Sequence, residues 1–409
     1  MKKIMILGAG RGQVPIINLA KKAGFETIVA SIPGDYPGLK IANKIYEVDI
    51  TDKERVLEAA RKEHVDGVIV DQIDIAVPTA AYVTEKLGLP SIGYDCSLKF
   101  TNKYLMRNEC RKLNIKVPDY YKASTLHEAK GKCLEIGLPV VIKPTDNASS
   151  KGVSLIKSND EIENKFDEAI RNSMEKKVII EKYIQGREYT VEGFASNYKF
   201  TNLVIGKRRY FDISDMFIPS QTIFTSENSG PIEEHILRIN QKLIEGFGLK
   251  FGVTHSEYLV EEGTEEVYLV EVAARGGGVY ISSDLIELAT GIDVNTMLLD
   301  VASGNLDEIE IQDIKNNVSC YLCFTLPEGI IKEIKGIERV KRLPGVCKIF
   351  LDSVWVGMKT EAMKDKSMRM GPILIKGKNK EQCEKTINEV KHLLEINVET
   401  SEGEKGIIW

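Results

Sequence analysis

Glu257 and Glu271 constrain this chain more than any other pair of residues, because the sequence around them reads as one hairpin. Residues 252–260 alternate apolar and polar, 261–266 carry turn residues centred on Gly263 and Thr264, and 267–273 alternate again. Two alternating runs around a short polar turn predict paired antiparallel strands. A turn symmetric about Thr264 sets Tyr258 against Val270, Val260 against Tyr268, His255 against Ala273 and Glu257 against Glu271. Directly opposed side chains lie roughly 5 Å apart, and like charges there are destabilising. Two carboxylates side by side on so apolar a ribbon make sense with a divalent cation between them. Mg²⁺ takes oxygen ligands and is usually held by one or two carboxylates plus substrate phosphates. An exposed face with two solvated glutamates is the alternative.

The residues after the hairpin extend the cation reading. Strand alternation puts Arg275 on the Glu271 face, and Gly276, Gly277 and Gly278 then let a ligand approach the backbone. A divalent cation beside a guanidinium gathers anionic oxygens, whether of phosphate or carboxylate. His255 shares the Glu257 face and is a weaker candidate, since a lone strand histidine more often packs than binds.

With 409 residues the chain has room for two or three domains. Acidic residues (60) outnumber basic ones (55), which argues against nucleic acid as a partner. No apolar run reaches the length of a membrane span, and the N-terminus reads as a first strand leading into glycines. Seven cysteines, an odd number in a long chain, suit reduced thiols and a cytoplasmic setting. Cys320 and Cys323 fit C-x-x-C only formally. In a strand they point to opposite faces, as structural cysteines do.

The first hundred residues alternate strand and helix: strands at 3–7, 27–30, 45–48 and 67–70, helices at 14–23, 53–63 and 79–87. That rhythm predicts an α/β parallel sheet covered by helices. Strands are expected at 138–144, 152–157, 177–184 and 188–195. A helix at 160–174 is marked by Ile162, Phe166, Ile170 and Met174. Further helices are expected at 233–247 and 380–394. A polar stretch at 303–317 suggests a boundary.

Gly8-Ala9-Gly10-Arg11-Gly12 invites a dinucleotide reading, but the third glycine of the fingerprint is replaced by Gln13. A tight strand-to-helix turn, open to a substrate anion at the helix N-terminus, fits better. A different nucleotide site is offered by Lys143 at a strand end, followed by the small-residue loop with Ser149, Ser150 and Lys151. A lysine point charge and exposed backbone N–H groups suit phosphates. Glu181-Lys182-Tyr183-Ile184, with Glu188 shortly after, can present backbone groups to an adenine edge and a carboxylate to ribose hydroxyls.

In this order, Asn102-Lys103, Lys143-Pro144, Ser149 to Gly152, Glu181 to Ile184, Glu188, Glu257 and Glu271-x-x-x-Arg275 resemble the ATP-grasp superfamily from about residue 98 to 304. Within it the chain looks closest to the L-amino-acid ligases, with biotin carboxylase and purine-pathway enzymes as relatives. The resemblance implies an ATP-grasp fold with a Rossmann-like N-terminal domain (1–100) and an ATP-grasp domain (101–306) whose mobile lid spans about 118–186. A mixed C-terminal domain (307–409) would follow. It implies ATP and Mg²⁺ (or Mn²⁺) as cofactors, with Lys103 and Lys143 on the phosphates and Ser149, Ser150 and Lys151 on the closing loop. Glu181, Lys182, Tyr183 and Ile184 would meet the adenine, Glu188 the ribose, and Glu257 and Glu271 the metal. Arg275 would steady an acyl phosphate.

The activity implied is ADP-forming amide ligation of a small carboxylate and an amine. A purine-type carboxylase or formate-using ligase, or an ATP-binding sensor without turnover, are the alternatives. Substrate contacts are expected near Gln221, His255 and Gly276 to Gly278, with Asp74 and Thr79 bordering the site. A homodimer is the default by symmetry. One position departs from the family's usual E-[IV]-N-x-R. Ala273 stands where the asparagine helps bind a second Mg²⁺, and His255, opposite Ala273, is a candidate to fill the gap.

Overall fold

The computed structural model describes residues 1–147, 151–213, 218–227 and 230–409. Two compact units divide the chain. One comprises Met1–Leu203, Ser229–Asp284 and Ile292–Gln312; the other comprises Val204–Asn228, Leu285–Gly291 and Asp313–Trp409. Residues 204–228 and 285–291, expected in the central domain, thus group with the C-terminal residues.

The first unit begins with four parallel strands, β1 (Lys3–Leu7), β2 (Glu26–Ser31), β3 (Lys44–Glu47) and β4 (Gly67–Ile69), ordered β3-β2-β1-β4. Helices Val14–Lys22, Pro37–Ile41 and Lys53–Glu63 make the crossovers, and the helix Val77–Leu87 follows β4. Strand β1 is central and its residues Ile4 to Leu7 are wholly buried, as a strand covered on both faces requires. The glycine-rich segment after β1 turns directly into a helix, as its sequence suggested. Gln13, the residue that breaks the dinucleotide fingerprint, donates from Nε2 to the Asp71 carbonyl at 2.7 Å. It therefore ties the end of β1 to the end of β4.

An antiparallel sheet follows, β5 (Tyr120–Ala123), β6 (Val140–Pro144), β7 (Ser154–Ile156) and β8 (Val178–Lys182), ordered β5-β8-β6-β7. Helices Leu126–Ile136 and Ile162–Arg171 pack on it, burying Ala129, Cys133, Phe166 and Ala169 against Val140, Ile142, Val178 and Ile180. The second helix ends at Arg171, so Met174, expected on its apolar stripe, lies beyond it and is exposed.

The last sheet of this unit holds β9 (Gly186–Ser196), β12 (Gly252–Glu261) and β13 (Val267–Ala273), with β12 in the middle, antiparallel to both. His255 pairs with Ala273 and Glu257 with Glu271, as the symmetric turn predicted. Between Glu257 and Tyr258 the register slips by one, setting Tyr258 against Leu269 and Val260 against Val267. The expected Tyr258–Val270 and Val260–Tyr268 pairs are therefore absent. Val270 is the extra residue of a β-bulge, and its carbonyl serves Arg107 instead, accepting from Nη2 at 2.7 Å.

In the second unit, residues 205–210 of β10 (Lys199–Tyr210) pair with β11 (Pro219–Thr225). The sheet continues through β14 (Val318–Phe324), β18 (Met370–Gly377) and β16 (Val346–Ile349). A smaller antiparallel sheet, β15 (Gly329–Lys335), β17 (Lys359–Thr360), β19 (Glu395–Thr400) and β20 (Gly403–Lys405), and the helix Lys380–Leu393 complete it. Cys320 and Cys323 are buried free thiols in β14. Gln221 is buried in β11 opposite Leu322 and Arg209. Among the described residues no helix is long and apolar enough to cross a membrane.

The helix Lys103–Lys112 carries two cations of the candidate site and starts on a side-chain cap, with Asn102 Oδ1 accepting from Tyr104 N and Leu105 N, each at 3.1 Å. Replacing Asn102 by Ala should cost about 1 kcal/mol, read as a lower urea midpoint with unchanged slope.

Candidate active site

Helix periodicity places Lys103 and Arg107 one turn apart on one face, both buried. Arg107 has no exposed surface and donates from Nε to Glu181 Oε1 at 2.6 Å. Lys143, at the end of β6, meets the other oxygen of Glu181 at 2.5 Å. Burial pushes the Glu181 carboxyl up, but Arg107 and Lys143 outweigh it and hold it at about 2. Burial, with Arg107 and Lys103 close by, lowers Lys143 although Glu181 opposes it. Lys103 Nζ reaches Glu271 Oε1 at 2.8 Å and the Asn147 carbonyl at 2.6 Å. Three cations thus share two carboxylates, leaving a positive excess in a buried place, which favours an anion.

Glu271 and Glu257 lie on adjacent strands, and each has its own positive partner. Lys103 holds Glu271, while His255 Nε2 lies 3.1 Å from Glu257 Oε1. His255 Nδ1 lies 2.5 Å from Glu192 Oε1 on the neighbouring strand β9. Burial would lower the His255 pKa, but Glu192 and the hydrogen bond to Glu257 overcome it and raise it. Glu192 is fully buried, and its other oxygen, Oε2, has no hydrogen-bond partner among the described residues.

Arg275 follows β13 and is gripped at both ends by Asp74, Nε to Oδ1 at 2.9 Å and Nη2 to Oδ2 at 2.8 Å. Burial acts to raise Asp74, but Arg275 prevails and lowers it. The glycines after Arg275 are needed for close approach. A Cβ on Gly276 would stand 2.3 Å from Asp71 Oδ1, and one on Gly277 would stand 2.9 Å from Glu192 Oε2. Val279 and Tyr280 then take left-handed backbone angles, φ +58° and +60°, before the π-helical turn Ile281–Leu285. A β-branched residue in that region is strained, and such strain clusters at ligand-handling loops.

Asp71 lies just past β4, fully buried, accepting from Ser282 Oγ at 3.1 Å and from Gln72 Nε2 at 3.2 Å. Burial pushes its carboxyl up to about 6.

The other expected residues are spread along the chain. Lys182 is exposed, Ile184 is buried, and the Tyr183 N–H donates to the Pro139 carbonyl at 3.2 Å. Glu188 is half-buried on β9 opposite Leu259, and Lys151 is exposed in a turn. Ser149 and Ser150 lie outside the described residues. Thr79 is buried in the helix Val77–Leu87. Arg107, Asp71 and Glu192 were missed. Arg107 had a usable signal, since it lies one helical turn from Lys103. Glu192 had another, since alternation on β9 sets it in line with Glu188.

The donor set suits a hard divalent cation, two opposed carboxylates whose charges are each offset by a nearby cation. Among the described residues no three His, Cys, Asp or Glu side chains converge on one point as a complete metal cage. An ion held here must therefore bring further oxygen ligands with it, as one bound to nucleotide phosphates does.

Comparison with known families decides the matter: residues 136–284 match the ATP-grasp domain and residues 322–399 match the L-amino acid ligase C-terminal domain 2. Residues 136–284 are an ATP-grasp domain. Among solved structures of the same fold, at 16% identity, one is the biotin carboxylase domain of the Hydrogenobacter thermophilus 2-oxoglutarate carboxylase in complex with MgADP, ADP and bicarbonate.

Over 372 residues the chain is 27% identical to the formate-dependent phosphoribosylglycinamide formyltransferase of Sulfurisphaera tokodaii, covering 84% of this chain and 86% of that one. The Bacteroides thetaiotaomicron protein of the same name is 31% identical over 189 residues, 45% of this chain and 48% of its own length. The L-amino acid ligase of Bacillus licheniformis has a similar fold, with a TM-score of 0.82 at 21% identity over 98% of this chain and 99% of that one.

An ionised Asp71 is costly when buried, and the sign of the effect is fixed by its raised pKa. As pH rises through about 4 the unfolded chain loses this proton first, so stability falls until about pH 6 and stays lower above it, by up to about 3 kcal/mol. Asp71→Asn should therefore stabilise the protein at pH 7 and lose that advantage near pH 4, as read from denaturation midpoints across pH.

Proposed function

We propose that this ligase joins an amino acid or another small carboxylic acid to an amine through an acyl phosphate. The observation that carries the reading is the match of residues 322–399 to a domain of L-amino acid ligases, together with a site that pairs two opposed carboxylates with a buried guanidinium. The acid's carboxylate oxygen attacks the γ-phosphorus of ATP, forming an O–P bond as the bond to ADP breaks. The amine nitrogen then attacks the carbonyl carbon, a C–N bond forms, phosphate leaves, and the amine's surplus proton passes to water.

Lys103 and Lys143 neutralise phosphate oxygens, and Arg275 neutralises the oxygens of the acyl phosphate. Glu257 and Glu271 hold Mg²⁺, which when bound supplies positive charge to the phosphates. Glu181 keeps Arg107 and Lys143 fixed, so positioning is ready before substrate arrives. Lys151, Ser149 and Ser150 are assigned contacts with the ATP phosphates. Tyr183, Ile184 and Glu188 flank the base and ribose. His255, Gly276 to Gly278 and Gln221 are assigned substrate contacts.

A second reading has its own support, because a relative aligned over 84% of this chain is a formate-dependent formyltransferase. Formate is the smallest carboxylate, so that chemistry is the same activation with a smaller acid. ADP release measured from Mg-ATP with pooled amino acids, small carboxylic acids, formate and bicarbonate separates the two. Mass spectrometry then identifies the product. ADP release that depends on an amino acid, with a new amide mass, is expected. Release with formate or bicarbonate only would replace the first reading by the second. Glu271→Ala should lower turnover at least about 100-fold, and a wild-type rate would remove Glu271 from the metal site.

A further inference from the structure

We propose that a cleft beside the turn end of the β12–β13 hairpin binds a small aliphatic carboxylate, at a site separate from Glu257 and Glu271. The cleft measures about 540 Å³, within the range of small-molecule sites. Helix Pro231–Phe247 forms one bank, and the residues around Lys116 and Glu266 form the other. Its floor is apolar: Ile115 and Val267 are buried and Ile239 is half-buried.

Helix periodicity sorts charge on the first bank. His235, Arg238 and Lys242, at i, i+3 and i+7, share one stripe beside Ile239, and all three line the cleft. Glu234, Gln241 and Glu245 fall on the next stripe, where Gln241 Nε2 donates to Glu245 at 3.2 Å. The Lys242 ammonium has no ion pair among the described residues. Arg238 meets Glu234 Oε1 at 3.1 Å, an exposed pair of the kind worth little in water, so its guanidinium can turn to a ligand. On the far bank each acid already has a cation. Glu266 pairs with Lys116, and Glu265 Oε1 lies 3.4 Å from Arg187 Nη2. A basic stripe on a helix is ordinarily a solvated face. The concave apolar floor below this one is what makes it a site.

Charge and shape together limit the ligand. Lys116, Arg238 and Lys242 face Glu265 and Glu266, a surplus of one positive charge among the lining residues. A singly charged head satisfies that surplus, whereas a multiply charged anion would meet the two glutamates. Arg238 offers a planar fork that suits a carboxylate, and the floor suits an aliphatic tail. The far bank is also continuous with the elements of the candidate active site. Residues 114–116 follow the helix bearing Lys103 and Arg107, and the Lys116 carbonyl accepts from Leu269 N at 3.0 Å, two residues before Glu271. A ligand here bears on both elements without entering that site.

The test is methyl NMR of the whole protein with ¹³C-labelled isoleucine δ1 methyls, titrated with hexanoate and, separately, with neutral hexanamide. Ile115→Val and Ile239→Val assign the two floor resonances. Expected are shifts of both resonances with one dissociation constant of about 10 mM or lower. Hexanoate should bind at least about 10-fold more weakly to the double variant Arg238→Gln/Lys242→Gln, and hexanamide at least about 10-fold more weakly than hexanoate to the wild type. Both substitutions are at exposed positions, and an unchanged melting temperature checks the fold. Floor resonances that stay in place up to about 50 mM hexanoate, or shifts confined to other isoleucines, overturn the proposal. Equal affinity for hexanoate and hexanamide, or unchanged affinity in the double variant, overturns it as well. The readout needs no turnover, so this site and the ligase reading fail separately.

Discussion

Everything in the active region answers to the repulsion between Glu257 and Glu271. Antiparallel pairing fixes the two carboxylates face to face, an arrangement that costs stability unless positive charge lies close by. Lys103 arrives from the first turn of a capped helix and His255 from two residues earlier on the same strand. Each carboxylate is thus satisfied before any ligand binds. Under the proposed function, a cation arriving with nucleotide phosphates would free these partners, the phosphates gaining a lysine as the carboxylates gain an ion.

The same logic governs the buried cluster behind the hairpin. Glu181 is shared by Arg107 and Lys143, so none of the three is left alone in a low-dielectric place. Its structural reach is long. Arg107 belongs to the helix after Asn102, Lys143 and Glu181 to the β5–β8 sheet, and the carbonyl that also binds Arg107 to the bulge in β13. One guanidinium therefore registers three elements against each other. Arg275 does comparable work by linking the end of β13 to Asp74, beyond β4.

The parts of the fold legible in the sequence are those governed by local rules. Alternation and a Gly-Thr turn gave the hairpin and the Glu257–Glu271 and His255–Ala273 pairs. The strand–helix rhythm gave the parallel sheet, and helix 53–63 was placed to the residue. The bulge was not legible, because it answers to the guanidinium of Arg107, far away in sequence. The helix 103–112 was missed because its mean composition is polar and its buried face is made of Lys103, Met106, Arg107 and Cys110, two of them charged. Asp71 and Glu192 look like ordinary strand-end and strand residues until the sheets are assembled around Gly276 and Gly277.

The bulge at Val270 separates two kinds of demand on one hairpin. On the side of Ala273 the pairing is in the symmetric register and the functional side chains oppose one another. On the side of the turn the register has already slipped. The slip absorbs mismatch locally, so the turn end and the functional end need not share one register. Residues 261–266 therefore form a place where length can vary among descendants of this sequence while the chemistry at the other end of the ribbon keeps its alignment.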